Sequence, residues 1–392
     1  MDSDSVQEEI VKRVRAIVPL VQERAPWQDE NRKLHPEVVE ALDEAGVFRM
    51  RVPARYGGYE SDTRTMLEVA AVLAQADGAT AWNTSVWWIP TWMVGMFPDH
   101  VQEEVLGEYG GRVCGTLSPG GAAEPADGGI VVNGQWGFIS GAPHSHWQSI
   151  IAIAPTADGS GMEPIMALVP ISDLRLVDDW NAAGLRGSGS VTTVAENVFV
   201  PSERVLPLGA VMGGQTVSEA NRTLPMYRAP LLAVAAATSA GTPTGLAEGA
   251  LELFLKRSTE RGITYTDYER QADAPVTHLQ VAQASLMADE ARFHAERLTG
   301  LVDSKGALGQ EWSLQERARC RADMAALCRR SKDAVTLLGE ASGGRSVYSG
   351  HPMQRMVRDI TALNLHALMY PDTGFELYGR VLSGLEPNTL YI

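Results

Sequence analysis

Val6, Ile10, Val14, Ile17, Val18 and Val21 recur at three- to four-residue spacing, the period of an α-helix with one buried face. HPEVVEALDEAGVF follows. There Pro36 suits a first helical turn and Gly46 a C-terminal cap. VPARYGG, at 52–58, reads as a turn-rich connection. From Thr63 to about Leu106 the pattern is helical again, with interruptions expected near Pro90 and Pro98. Residues 1–112 are therefore expected to form an N-terminal α-helical domain.

The pattern changes near Gly111, and residues 113–215 are expected to form a central β domain. Asn133-Gly134 lies between two apolar runs, a hairpin signal. IIAIAP, MALVP, LRLV and VTTVAENVFVP follow as short strands, consistent with a compact β-barrel or sandwich. Helix returns over 216–392. AEGALELFLKRSTERG, LQVAQASLMADEARFHAERL and ERARCRADMAALCRRSKDAVTLLG are long stretches, and a last helix covers about Pro352–Leu368. Four long helices suggest a bundle. The expected class is α+β, and no internal repeat is seen.

Composition narrows the function. The chain has 392 residues, 45% apolar and 21% charged, enough to bury a large core. Lys and Arg number 33 against 48 Asp and Glu, for a net charge of −15. Such a chain repels nucleic acid and anionic membranes. No run approaches 18 apolar residues and no signal core precedes the first helix, so a cytoplasmic protein is expected. The three cysteines, Cys114, Cys320 and Cys328, make no CxxC pair and suit small core residues. His144 and His146 stand two apart with no further ligands at matching spacing, so no metal is expected.

Helical block, β block and helical bundle in that order, with five local motifs, resemble the acyl-CoA dehydrogenase fold over nearly the whole chain. The motifs are VPARYGGYE, NGQWGFISGA, GLRGSGSVTTVAENVFVP, ERGITYTDYERQ and HPMQRMVRDI. Most dehydrogenases of this fold carry their base in a Glu-Gly-Thr motif after the Arg-Asp helix. Here the stretch is RDITALNLHALMYPDTG, with His366 in place of that motif. With Trp136-Gly-Phe-Ile-Ser-Gly-Ala-Pro-His-Ser-His-Trp147, this resembles the oxygenase components of two-component flavin monooxygenases, such as those acting on hydroxyphenylacetate, steroid phenols and aromatic polyketides. The chain departs from several phenol hydroxylases in having no His between Ala81-Trp82 and His100.

The resemblance implies a reduced-flavin-dependent monooxygenase that hydroxylates a small aromatic or polycyclic substrate through a flavin C4a-hydroperoxide. Its cofactors would be FMNH2 or FADH2 and O2. No G-x-G-x-x-G lies between a strand and a helix, which fits supply by a separate NAD(P)H:flavin reductase. Homotetramers are usual for the fold. Ser140 is the candidate partner of flavin N5. Thr116, Leu117 and Ser118 are candidates for the pyrimidine edge, Trp136 and Phe138 for the ring wall, and Arg261, or else Arg257, for the phosphate. The turn at Gly339, Gly343 and Gly344 resembles one that approaches a neighbour's flavin. His366 is the catalytic candidate, as a base toward a phenol or as a tuner of the peroxide. Arg355, Asp359 and His366 are expected near one helix face. Trp82, Trp88, Trp92, His144, Tyr227, Arg228 and Tyr370 are candidates for the substrate pocket. The competing readings are an N- or S-oxygenase on the same fold, an acyl-CoA dehydrogenase with a displaced base, and a helical scaffold without flavin.

Overall fold

The computed structural model describes residues 3–107, 110–156 and 158–392. The first block contains α1 (Ser3–Asn31), α2 (Pro36–Glu44), α3 (Thr63–Ala76), α4 (Gly78–Val94) and α5 (Asp99–Leu106). Pro36 opens α2, and Gly46 follows it at φ +84°, as the spacing predicts. The break expected near Pro90 lies instead at Asp77, and Pro90 sits inside α4. Asp77 adopts an extended backbone and accepts the Thr80 N–H on its carboxylate. That cap lets one helix end and the next begin without a gap.

The middle block supplies β1 (Val113–Gly115), β2 (Gly121–Ala126), β3 (Gly129–Ile139), β4 (Trp147–Pro155), β5 (Met162–Pro170), β6 (Arg175–Val177), β7 (Val191–Pro201) and β8 (Val205–Pro207). The sheet order is β6-β7-β3-β2-β4-β5-β8, with β1 parallel to β4. The expected barrel does not close. The end strands β6 and β8 are three residues each and do not pair with one another, so no ladder joins the two edges. The hairpin turn is Asp127-Gly128, where Ala126 pairs with Gly129. Asn133-Gly134 is mid-strand. A Cβ on Gly134 would stand 2.5 Å from the Gly121 Cα, so glycine there permits close strand approach.

The last block contains α6 (Leu208–Met212), α7 (Leu231–Ser239), α8 (Gly241–Ser258), α9 (Pro275–Leu308), α10 (Leu314–Ala341), α11 (Pro352–Leu363) and α12 (Pro371–Leu382). The helix expected to reach Leu368 stops at Leu363, and α12 begins at Pro371. His366 therefore lies in the connecting turn, off the helix that carries Arg355 and Asp359. The bundle does not stand alone, because α8 packs directly on α3. A Cβ on Gly245 would meet the Ala71 carbonyl at 2.1 Å, so only glycine allows this crossing. One hydrophobic core runs through all three blocks. Among the described residues, no helix is long and apolar enough to cross a membrane.

Candidate flavin site

Three elements converge on Ser140. The first is the end of β3, where the register against β7 shifts between Trp136 and Ile139. Such bulges re-aim side chains. Phe138 lies in this shift at φ +61° and is 77% exposed. Left-handed backbone at a non-glycine residue costs roughly 1–3 kcal/mol and persists only where its surroundings enforce it. The result is an apolar ring facing outward, edge-on to Trp180 at 6.0 Å. A cavity of about 250 Å³ opens beside them, lined also by Gly137, Asn181, Ser190 and Thr192. Trp136 is buried instead, its indole donating to the Ile151 carbonyl at 2.8 Å. It belongs to the sheet core and offers no face to a flavin.

The second element is the start of α4. The Trp82 indole donates to Ser140 Oγ at 3.1 Å. Trp88 and Trp92 are fully buried, donating to the carbonyls of Val47 and Met226. They brace the helical core. Trp92 also stacks on the buried Tyr227, whose hydroxyl pKa is pushed up by burial.

The third element is the turn after α11. His366 lies edge-on to Trp82, ring centroids 5.0 Å apart. The turn is placed by ion pairs and hydrogen bonds from α11. Arg358 bonds the Ala183 carbonyl at 2.8 Å and both Asp29 oxygens. Asp359 accepts the Leu185 N–H at 2.6 Å, and Arg355 lies 3.5 Å from Asp77. Burial, followed by the nearby Asp77, raises the Asp359 carboxyl to about 7.

His366 stays open to solvent although protein packs around it. That packing, then Arg321, pulls its pKa down to about 4, so the ring is neutral at pH 7. Its Nδ1 accepts the Leu368 N–H at 3.3 Å. The tautomer satisfying that bond carries its proton on Nε2.

Among the described residues, the other candidates make no side-chain hydrogen bond or ring contact with Ser140, Trp82 or His366. Thr116, Leu117 and Ser118 form the bend after β1, not a strand. The Thr116 hydroxyl accepts the Ser118 N–H, and the Leu117 carbonyl accepts the Tyr391 hydroxyl at 3.0 Å. His144 is half-buried, and burial followed by Lys33 and Arg112 lowers its pKa to about 4. Tyr370 is exposed, with its hydroxyl 3.4 Å from Asp372. Arg228 lines a separate cavity of about 370 Å³ with Trp312 and Arg317.

A basic group lies at the bundle's end. Arg261 donates to the Ser342 carbonyl. A Cβ on Gly343 would stand 2.8 Å from the Arg261 guanidinium. Burial, then Arg257 and Arg345, lowers the Arg261 pKa. Among the described residues, none of these three arginines pairs with an acid. Unpaired guanidinium groups in a chain of net charge −15 suit a phosphate. The exposed aromatic wall and the hydroxyls of Ser190 and Thr192 beside it fit a flavin ring, and the basic group has the chemistry a flavin phosphate needs.

Sequence reasoning missed Ser188, Ser190 and Trp180. Ser188 and Ser190 stand in GLRGSGSVTT, a motif legible in the sequence, but nothing local aims their hydroxyls at Ser140.

Comparison with known proteins gives the chain's family. Residues 4–116 match the acyl-CoA dehydrogenase N-terminal domain and residues 237–371 its C-terminal domain. The flavin-dependent monooxygenase oxygenase subunit HsaA of Rhodococcus jostii is 31% identical over 96% of this chain and 98% of its own. The FADH2-dependent resorcinol hydroxylase oxygenase component of a Rhizobium species is 30% identical, over 97% and 96%. Among solved structures, XiaF from a Streptomyces species, in complex with FADH2 and glycerol, superposes with a TM-score of 0.91. It is 28% identical and covers 99% of this chain and 98% of that one. The chain belongs to the oxygenase subunits of flavin-dependent monooxygenases, built on the acyl-CoA dehydrogenase fold.

Proposed function

We propose that this chain hydroxylates a small aromatic substrate with O2 and a flavin delivered already reduced by a separate NAD(P)H:flavin reductase. The observation that carries the reading is the meeting of Ser140, Trp82 and His366 beside the outward-facing Phe138. When bound, reduced flavin supplies the electrons that activate O2; the protein positions, shields and handles protons.

Phe138 gives the ring system an apolar wall. Ser140 would stand at the N5 edge of a bound flavin, where its hydroxyl would hold the N5 proton. Arg261, with Arg257 and Arg345, holds the phosphate. The bend at Thr116, Leu117 and Ser118 offers backbone groups to the pyrimidine edge. His366 faces the substrate. Being neutral at pH 7, it can donate from Nε2, or take a phenol's proton after giving up the Leu368 bond. Arg228, with no acid partner among the described residues, suits an anionic substituent.

A homotetramer fits the bundle. Leu279, Leu286 and Phe293 on α9 are each more than half exposed. Their seven-residue spacing aligns them on one face, as a partner helix would require.

The test is anaerobic mixing with FMNH2 or FADH2, then oxygenated buffer. A transient band near about 380 nm, with product formed from phenols or fused aromatics, is the expected result. Immediate return of oxidised flavin with every substrate, together with dye reduction by an acyl-CoA, would overturn the reading.

A further inference from the structure

Ser140 is one end of a hydroxyl chain. Its Oγ lies 2.6 Å from Ser190 Oγ, which lies 2.6 Å from Ser188 Oγ. All three are buried. A serine hydroxyl has one proton to donate and two lone pairs to accept with. The Trp82 indole is donor only, so it takes one lone pair of Ser140.

Ser188 Oγ has no other side-chain partner among the described residues, and the residue is 1% exposed. If Ser190 donated to Ser188, the Ser188 proton would be buried without an acceptor, which is costly. Ser188 is therefore the donor to Ser190. Two arrangements remain. In one, Ser190 donates to Ser140; both Ser140 lone pairs are filled and its proton is left free for a ligand. In the other, Ser140 donates to Ser190, and Ser140 keeps one lone pair free for a ligand. The Ser190 proton then points into the cavity that Ser190 lines. Rotating the two hydroxyl protons of Ser140 and Ser190 together converts Ser140 from donor to acceptor.

We propose that Ser190 is a positioning residue that sets whether Ser140 offers a proton or a lone pair to flavin N5. The proposal rests on the reading that Ser140 faces N5. Reduced flavin carries a hydrogen on N5 and needs the acceptor; oxidised flavin has a lone pair there and needs the donor. Without the Ser190 hydroxyl, the Ser140 proton has no protein acceptor and is left for the ligand. That arrangement suits only the oxidised form.

The experiment measures dissociation constants for reduced and oxidised flavin, anaerobically and by fluorescence, in wild type and in Ser190→Ala, Ser190→Thr and Ser140→Ala. Ser190→Ala is expected to lower the preference for reduced over oxidised flavin by about three- to tenfold, the worth of one hydrogen bond. Ser190→Thr, which keeps the hydroxyl, is expected to restore it. Equal weakening of both forms in Ser190→Ala, or no change, would overturn the proposal and leave Ser190 a packing residue. Ser140→Ala separates the two levels. If it shifts the preference while Ser190→Ala does not, only this inference fails. If Ser140→Ala leaves the preference unchanged, Ser140 does not face N5 and the site reading fails with it.

Discussion

Trp82 and Ser140, 58 residues apart in the chain, are joined by an indole N–H···Oγ bond of 3.1 Å. The same indole lies edge-on to His366. One side chain thus orients the hydroxyl assigned to the flavin and packs against the group assigned to the substrate. Trp82→Phe keeps the ring and removes the donor. It is expected to destabilise the fold by about 0.5–1.5 kcal/mol. It should also raise hydrogen peroxide released per oxygen consumed, because Ser140 is held less firmly. Thermal melting and a peroxidase-coupled assay read the two effects. Unchanged coupling would show that the bond serves folding alone.

His366 lies off α11, in the turn, and is solvent-open. His366→Ala is expected to slow hydroxylation on the order of 100-fold, the usual worth of a positioned acid or base. Flavin affinity should stay within about twofold of wild type, since no phosphate or ring contact is assigned to it. Single-turnover product formation measures the first and fluorescence titration the second. With a pKa near 4, the wild-type rate should show no step from this residue between pH 6 and 8.

Arg261→Met removes one of three unpaired guanidinium groups. A hydrogen bond to a charged group is worth about 1.5–3 kcal/mol, so flavin binding should weaken roughly ten- to hundredfold. Equilibrium dialysis with FMNH2 and FADH2 would measure it. An undiminished affinity would place the phosphate elsewhere.

Two groups, the half-buried His144 and the buried Asp359, should tilt stability with pH in opposite senses. His144 has a folded pKa near 4 against about 6.5 unfolded. Its neutral form is favoured by folding, so stability is full above about pH 6.5 and falls as pH drops toward 4. His144→Gln should flatten that fall. Urea titrations at pH 7 and pH 5 would show the difference narrowing between variant and wild type.

Asp359 is raised to about 7 from about 3.9 unfolded, so folding favours its protonated form and stability fades as pH rises from about 4 through 7. Asp359→Asn keeps an acceptor for the Leu185 N–H. Its gain over wild type should be larger at pH 8 than at pH 5. The reverse trend in melting temperature would mean that Arg355 holds the carboxylate ionised.

Much of this molecule is legible from local pattern. Apolar spacing predicts helices where α1 through α5 and α8 through α10 stand, and short runs predict β4 through β7. Period reports which face of an element is buried, a local property. Its failures are local too. Asn133-Gly134 has turn chemistry but serves a close strand contact, and Asp127-Gly128, with the same chemistry, makes the turn. Asp77 breaks a helix that Pro90 does not, because a capping side chain can end a helix where a proline already inside it need not.

The site divides the same way. The motifs, through their resemblance to flavin monooxygenases, singled out Ser140, Phe138, His366 and Arg261 as candidates toward a flavin and an aromatic substrate. Tertiary packing alone decided that Trp136 is core while Phe138 faces outward. It also decided that His366 meets Trp82 and that Ser188 and Ser190 meet Ser140. Those relationships depend on a bulge between two strands and on α11 being fastened to the loop before β7. The direction of a buried proton depends on every donor and acceptor around it, and those come from segments that no local pattern relates.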